Sequence, residues 1–110
     1  MSAPDSRDTL AELVYKIAPR SAWEAAVRGG VYRGSQDDQR DGFIHLSTKG
    51  QVSATLQRHF AGQSDLLLIS FDAAALGDAL RFEASRGGQL FPHLYGELAT
   101  ALALQVVELG

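Results

Sequence analysis

The sequence predicts an α+β fold: a single domain with a mixed, mostly antiparallel sheet and two helices in its N-terminal half. Of the 110 residues, 45% are hydrophobic, which is enough for a core at this length. Helix signals end near residue 62, and strand-like segments dominate after residue 65. Residues 1–11 are polar and acidic, so we expect a flexible tail there and one globular domain over 12–110.

The first elements are marked by proline and glycine. LVYKIA at 13–18 is rich in β-formers and predicts a strand that Pro19 ends. Ser21–Glu24 has capping-box spacing, which predicts a helix. Gly29–Gly30 would end that helix, because glycine tolerates the left-handed conformation. The segment RGSQDDQRD at 33–41 is predicted to be a polar loop.

A second strand and helix follow that loop. GFIHLS at 42–47 predicts the strand, and Thr48–Gln51 offers a second capping box. The helix is expected to run to about Ala61. Its helical spacing places Val52, Leu56, His59 and Phe60 on one stripe, which makes His59 a packing residue.

The remaining chain reads mostly as strands. DLLLISFD at 65–72 is continuously apolar, which predicts a central strand buried on both faces. RFEAS at 81–85 alternates and predicts another strand. Pro92 within 91–98 favours an edge strand or an irregular approach, because proline cannot donate to the ladder. The segment 101–109 is expected to be the last strand.

Composition excludes several functional classes. The net charge is -3 and there is no Lys/Arg cluster, so the sequence shows no basic patch of the kind that binds nucleic acid. There is no cysteine, so disulfides and cysteine-zinc sites are ruled out. No apolar run approaches the roughly 20 residues of a membrane span. The polar N-terminus does not resemble a signal peptide, so we expect a cytoplasmic location. The sequence does not indicate whether the protein is a monomer or an oligomer.

The strand at 42–47 has one polar face. Alternation places Phe43, His45 and Ser47 on one side, and Ile44 and Leu46 on the other. The aliphatic side suits the core, and the polar side suits a ligand. The alternative is structural: His45 as a hydrogen-bonded core residue, and Ser47 as a helix N-cap.

FPHLYG at 91–96 is the second candidate segment, with His93 and Tyr95 on one face if it forms a strand. The two histidines also allow a metal hypothesis, with His45, His93 and Glu83 as the three ligands. It is not favoured, because the chain contains no HxxH or HExxH pattern.

The segment RFEASRGG carries the third candidate. A strand carboxylate such as Glu83 can serve a reaction, or it can simply pair with Arg81 or Arg86. Backbone amides around Ser85–Gly88, together with Arg86, would suit an anion. No GxGxxG or Walker pattern accompanies this segment.

These segments together resemble a known family. The motifs are Tyr15-Lys16, Trp23, DGFIHLST at 41–48, Gln51-Val52, HFAG at 59–62, LGDALRFEASRGG at 76–88 and FPHLYGEL at 91–98. On them the chain is identified as a member of the uncharacterised family called domain of unknown function 952. The resemblance covers almost all of the chain from about residue 13.

That family in turn looks like a divergent form of the ADP-ribosyltransferase fold. The pattern is similar to the RNA 2'-phosphotransferases, which use NAD. The Ile-His-Leu-Ser of 44–47 matches their second strand motif. Their first motif offers a histidine to the ribose, and Lys16 stands at that place here. Glu83 is the loosely aligned late acidic element.

The resemblance implies roles but leaves the function open. The candidate catalytic residues are His45, Glu83 and His93; the candidate ligand-binding residues are Lys16, Ser47, Arg86 and Tyr95; no metal ligands are assigned. The segment 33–41 would act as a lid. One hypothesis is an enzyme acting on NAD or an ADP-ribose-type nucleotide. The alternatives are a non-catalytic module that binds a small nucleotide or metabolite, and an interaction domain without a ligand.

Overall fold

The computed structural model describes residues 12–109, apart from the side chain of Arg86. The predicted tail at 1–11 therefore lies outside the described residues. The strands are β1 Leu13–Pro19, β2 Val31–Tyr32, β3 Ile44–His45, β4 Leu66–Asp72, β5 Leu80–Ala84, β6 Leu90–Leu94, β7 Leu98–Ala99 and β8 Gln105–Glu108. The α-helices are α1 Arg20–Gly29, α2 Gln36–Asp41, α3 Val52–His59 and α4 Ala73–Leu76.

The strands form three small sheets rather than the one mixed sheet expected. Their orders are β1–β4–β8, β2–β7 and β3–β6–β5. Every strand pair among residues 12–109 is antiparallel, which confirms the mostly antiparallel α+β class. The short strands Val31–Tyr32 and Leu98–Ala99 carry no alternation long enough to be predicted.

The hydrophobic core lies against β1 and β4. As predicted, β4 is a central strand, flanked by β1 and β8. Ile69 and Phe71 of β4 and Val14 of β1 are fully buried. Trp23 of α1 meets Phe71 edge-on, with ring centroids 6.2 Å apart. Burying each such side chain contributes roughly 1.5–3 kcal/mol, so this part of the fold rests on apolar burial.

The two predicted helices are present as α1 and α3, although their starts differ from expectation. The Ser21–Glu24 capping box does not form: α1 begins at Arg20, directly after Pro19, with no side-chain cap. Its end is as predicted, because Gly30 adopts φ +84° and donates to Ala26. The Thr48–Gln51 capping box is confirmed, and it opens a 3₁₀ turn that leads into α3.

The part of the fold that differs most from the sequence prediction lies between residues 33 and 41. The expected polar loop is instead the short helix α2, with a capping box between Ser35 and Asp38. The count of two helices is likewise not confirmed, because the described residues also contain α2 and α4.

Pro92 occupies a middle strand, which contradicts the predicted edge position. The strand β6 lies between β3 and β5. The carbonyl of Pro92 accepts from the amide of Leu46, one residue beyond the end of β3. A backbone N–H at position 92 would point to the same neighbour, Leu46, which lies beyond the end of β3. The proline therefore removes only a hydrogen bond at the end of the ladder.

The last strand is shorter than predicted. A 3₁₀ turn occupies Thr100–Leu102, and β8 begins at Gln105. Over residues 12–109, no helix is long and apolar enough to span a bilayer.

Candidate functional site

The β3–β6–β5 sheet has one apolar and one polar face. Ile44, Leu46, Pro92 and Leu94 are buried on the apolar face, as the alternation in GFIHLS predicted for the first two. His45 is opposite His93 in the β3–β6 register, and His93 is opposite Arg81 in the β6–β5 register. The polar residues of three strands therefore share one surface.

The two histidines lie together on that polar face. The ring centroids of His45 and His93 are 5.7 Å apart. Phe43 stacks on the His93 ring with a centroid distance of 4.0 Å and contacts the His45 ring at 4.6 Å. It also lies 5.3 Å from the Tyr95 ring. Phe43 is thus the apolar support on which both imidazoles rest.

Carboxylates of α2 meet both ring nitrogens of His45. The Nδ1 atom lies 2.6 Å from Oδ1 of Asp38, and Nε2 lies 3.0 Å from Oδ2 of Asp41. Oδ1 of Asp38 also accepts from the backbone amide of His45 at 3.1 Å. A protonated imidazole donates from both nitrogens, so this geometry is fully satisfied when the ring carries a proton on each.

Asp38 is itself held by a buried ion pair. Its side chain is 2% exposed, and Oδ2 lies 2.8 Å from Nζ of Lys16, whose side chain is 6% exposed. Lys16 also donates to the carbonyl of His45 at 3.0 Å. Burial alone would raise the pKa of Asp38, but the hydrogen bond from His45 and the charge of Lys16 outweigh it. The pKa of Asp38 therefore lies well below its usual range.

Local sequence explains why α2 brings Asp38 to this place. Ser35 caps the helix by accepting from the amide of Asp38, and Asp38 accepts from the amide of Ser35 at 2.8 Å. Gly34 precedes this cap at φ +99°, and a Cβ there would lie 2.7 Å from Cβ of Asp38. Only glycine fits that approach. The Ser-x-x-Asp spacing was the signal that could have revealed both the helix and Asp38.

His93 is oriented from the opposite side by Glu83 and Tyr95. Oε1 of Glu83 lies 2.9 Å from Nδ1 of His93 and accepts from the Tyr95 hydroxyl at 2.7 Å. The hydrogen bonds from Tyr95 and from His93 hold the pKa of Glu83 below its ordinary value. The same bond to Glu83 raises the pKa of Tyr95. The paired partners of Glu83 are thus His93 and Tyr95, while Arg81 lies over the Tyr95 ring at 4.9 Å.

The other ring nitrogen of His93 is accessible to solvent. The residue is 6% exposed and lines a cavity, and its Nε2 atom has no hydrogen bond within residues 12–109. That part of the chain contains no buried side-chain nitrogen or oxygen without a partner. The small exposed fraction of His93 must therefore include Nε2, and His93 is one of the residues that line the cavity.

A cavity of about 360 Å³ lies over this polar face. Four of the predicted site residues line it: Lys16, His45, Ser47 and His93. Glu83 and Tyr95 do not; they contact it only through His93. Ser47 is buried, and its hydroxyl lies 3.0 Å from that of Thr55 in α3. Arg86 has no described side chain, so its predicted ligand contact lies outside the described part of the structure.

The α3 side of the cavity carries one arginine and one histidine. Arg58 and His59 both line it. The Arg58 guanidinium pairs with no carboxylate of residues 12–109, whereas Arg40 on the α2 side pairs with Asp37 and Asp41. His59 is exposed, so its predicted role as a packing residue is wrong. Neither residue was predicted to line the cavity, because helical spacing placed His59 on the apolar stripe of this helix.

A second, more open groove of about 450 Å³ lies between α1 and β8. It contains none of the predicted site residues. Its Arg20 is already neutralised by Asp65 and Glu108, at 2.8 and 2.9 Å. Among the described residues, no group of three histidine, aspartate or glutamate side chains is arranged to hold a metal ion.

Fold and site together define a small α+β protein with a polar cavity built on two histidines. The chain belongs to the family described as protein of unknown function DUF952, whose model matches residues 17–107. It is similar to protein CC0527 from Caulobacter crescentus, with 44% identity over 89% of this chain and 86% of that one, and a TM-score of 0.87. The solution structure of CC0527 matches with 44% identity over 87% and 83% of the two chains, at a TM-score of 0.78. No curated protein matches the chain.

Proposed function

We propose that the cavity binds NAD or another ADP-ribose-type nucleotide, and that the protein transfers from it an ADP-ribosyl group. The observation that carries the proposal is the convergence of His45 and His93, with ring centroids 5.7 Å apart, on one cavity of about 360 Å³. That volume lies within the range of small-molecule sites. The activity is the one implied by the resemblance of residues 44–47 to the RNA 2'-phosphotransferases.

The cavity offers complementary groups for the parts of such a nucleotide. Arg58 has no carboxylate partner among the described residues and presents a fork of donors that suits phosphate oxygens. Phe91, also in the lining, offers an apolar ring face to a base. In this proposal His45 and Ser47, which both line the cavity, bind the ribose hydroxyls.

The proposed chemistry breaks the glycosidic bond between nicotinamide and ribose. Nicotinamide leaves with the electron pair of that bond, and positive charge develops on the sugar. An acceptor then adds to the sugar carbon and loses its proton. Nε2 of His93 takes up that proton as a general base, while Glu83 on Nδ1 positions the ring. Glu83 therefore acts through His93 in this scheme, and not directly on the sugar.

Ligand-induced stabilisation tests the binding step. ADP-ribose at a hundredfold excess over its Kd should stabilise the fold by about 2.7 kcal/mol, which thermal unfolding would detect as a raised Tm. Arg58→Ala should abolish the shift. Arg28→Ala is the matched control, because it removes an exposed helix arginine that lines the other groove. The absence of a shift with NAD, ADP-ribose and nicotinamide at millimolar concentration would refute the proposal.

A second candidate is a non-catalytic nucleotide-binding module. Two observations favour it: Lys16 is committed to a buried ion pair, and Glu83 does not reach the cavity lining. Release of nicotinamide from NAD separates the two candidates. The enzyme requires release that is lost in His93→Gln. The module requires binding of the same nucleotides without release.

A further inference from the structure

Helix α2 directs two carboxylates at one histidine. Asp38 and Asp41 are three residues apart, a spacing that places both on one face of a helix. Asp38 meets Nδ1 of His45 at 2.6 Å, and Asp41 meets Nε2 at 3.0 Å. One helix therefore contacts both ring nitrogens of the same imidazole.

Asp38 contacts His45 from a buried position, whereas Asp41 contacts it from a position partly exposed to solvent. Asp38 is buried and receives four hydrogen bonds, from Lys16, Ser35 and both the ring and the amide of His45. Asp41 has a side chain 34% exposed and is shared with Arg40 at the surface. The Nδ1 contact is consequently fixed by the fold, whereas the Nε2 contact can be exchanged with solvent or ligand.

We propose that Asp38 is a positioning residue that holds His45 with Nε2 toward the cavity, and that Asp41 occupies Nε2 until a ligand oxygen replaces it. The group that replaces a carboxylate on an N–H donor must itself be an acceptor, such as a phosphate or hydroxyl oxygen. This inference rests on the proposed function, in which His45 contacts the nucleotide. It predicts that substitutions of Asp38 and Asp41 change the affinity for the nucleotide in opposite directions.

Calorimetric titration with ADP-ribose tests the exchange. Asp38→Asn should weaken binding about tenfold, the equivalent of 1.4 kcal/mol. Asp41→Asn should tighten binding, because it weakens the internal competitor for Nε2. Asp37→Asn is the matched control: it removes the same charge from the same helix, at a residue that contacts Arg40 and not His45. Its effect should stay below about threefold, since exposed charges are screened.

Two outcomes would overturn the exchange. One is an Asp41→Asn variant that binds no more tightly than Asp37→Asn. The other is an Asp38→Asn variant with wild-type affinity. If Asp38→Asn fails to fold because Lys16 is left unpaired, the double variant with Lys16→Met removes the orphaned charge, and the same loss of affinity is expected there.

A measurement without ligand separates this inference from the proposed function. The ¹⁵N chemical shifts of the His45 ring in the wild-type protein should show a proton on Nδ1. In Asp38→Asn these shifts should change, because the carboxylate that holds the proton on Nδ1 is absent. Wild-type ring shifts in Asp38→Asn would refute the positioning role whatever the ligand. Normal positioning by this measurement, with no ADP-ribose binding in the wild type, would refute the nucleotide proposal alone.

Discussion

Across β1 and β4, the buried side chains are mainly aliphatic or aromatic, whereas across β3 and β6 two imidazoles lie opposite each other. The first region is held by apolar burial around Ile69 and Phe71. The second is held by a buried ion pair between Lys16, the one charged side chain buried on β1, and Asp38 of α2, and the hydrogen bonds of this pair reach His45. Apolar burial tolerates approximate geometry, but a buried charge needs each partner in place. The site region is therefore the more specific part of the fold.

The largest loss of stability is expected from the apolar region. Phe71→Ala removes a fully buried ring that meets Trp23 edge-on. The lost transfer free energy and the cavity left behind should lower the free energy of unfolding by about 3–5 kcal/mol. Urea unfolding measures it. A loss below about 1 kcal/mol would mean that β4 is not the centre of the core.

Removing one member of the buried ion pair should cost almost as much. Lys16→Met leaves the Asp38 carboxylate buried without its cation, so we expect a loss of about 3 kcal/mol. Adding Asp38→Leu to it removes the unpaired charge and should restore part of that loss. Unfolding free energies of the four proteins in this cycle give the coupling. Additive losses would show that the pair is not coupled.

Acid should affect the site region selectively. Because the folded-state pKa of Asp38 is lowered, its contribution is present above the unfolded pKa of about 4 and is lost as pH falls below it. Between pH 5 and pH 3 this group should account for roughly 1 kcal/mol of lost stability. Unfolding free energies of wild type and Asp38→Asn across that range test it. Equal pH slopes would contradict the assignment.

The smallest effect is expected at an exposed ion pair. Arg33 and Glu97 are 2.9 Å apart, with side chains 68% and 59% exposed. Solvent screening should limit the cost of Arg33→Ala to about 0.5 kcal/mol or less. Thermal unfolding at low and high salt would check this. A cost comparable to that of Lys16→Met would remove the distinction between buried and exposed pairs.

The sequence predicted those parts of the site that depend on strand alternation. Ile44 and Leu46 are buried, and His45 and His93 share the opposite face, because side chains on a strand alternate between two faces. The sequence did not predict Asp38. It stands in a run of polar residues, and its burial depends on a lysine that is remote in the chain.

Pro92 shows the same limit in another way. Proline within a strand favours an edge, yet β6 is a middle strand, because the neighbouring β3 ends where the missing N–H would have donated. Where a neighbouring strand ends depends on the tertiary structure, and the sequence of β6 alone does not reveal it. The same holds for Glu83, whose contact with His93 depends on the β5–β6 register.

The sequence alone determined the α+β class, the central apolar strand β4, the helix-ending glycine at Gly30 and the polar face of GFIHLS. Each of these follows from short-range periodicity or from the conformational preference of a single residue. Only the tertiary structure decided which groups that face would meet: Asp38 and Asp41 at His45, and Glu83 at His93. Hydrogen bonds and ion pairs form only between groups a few ångströms apart in space. The number of residues between two groups in the sequence does not reveal that spatial distance.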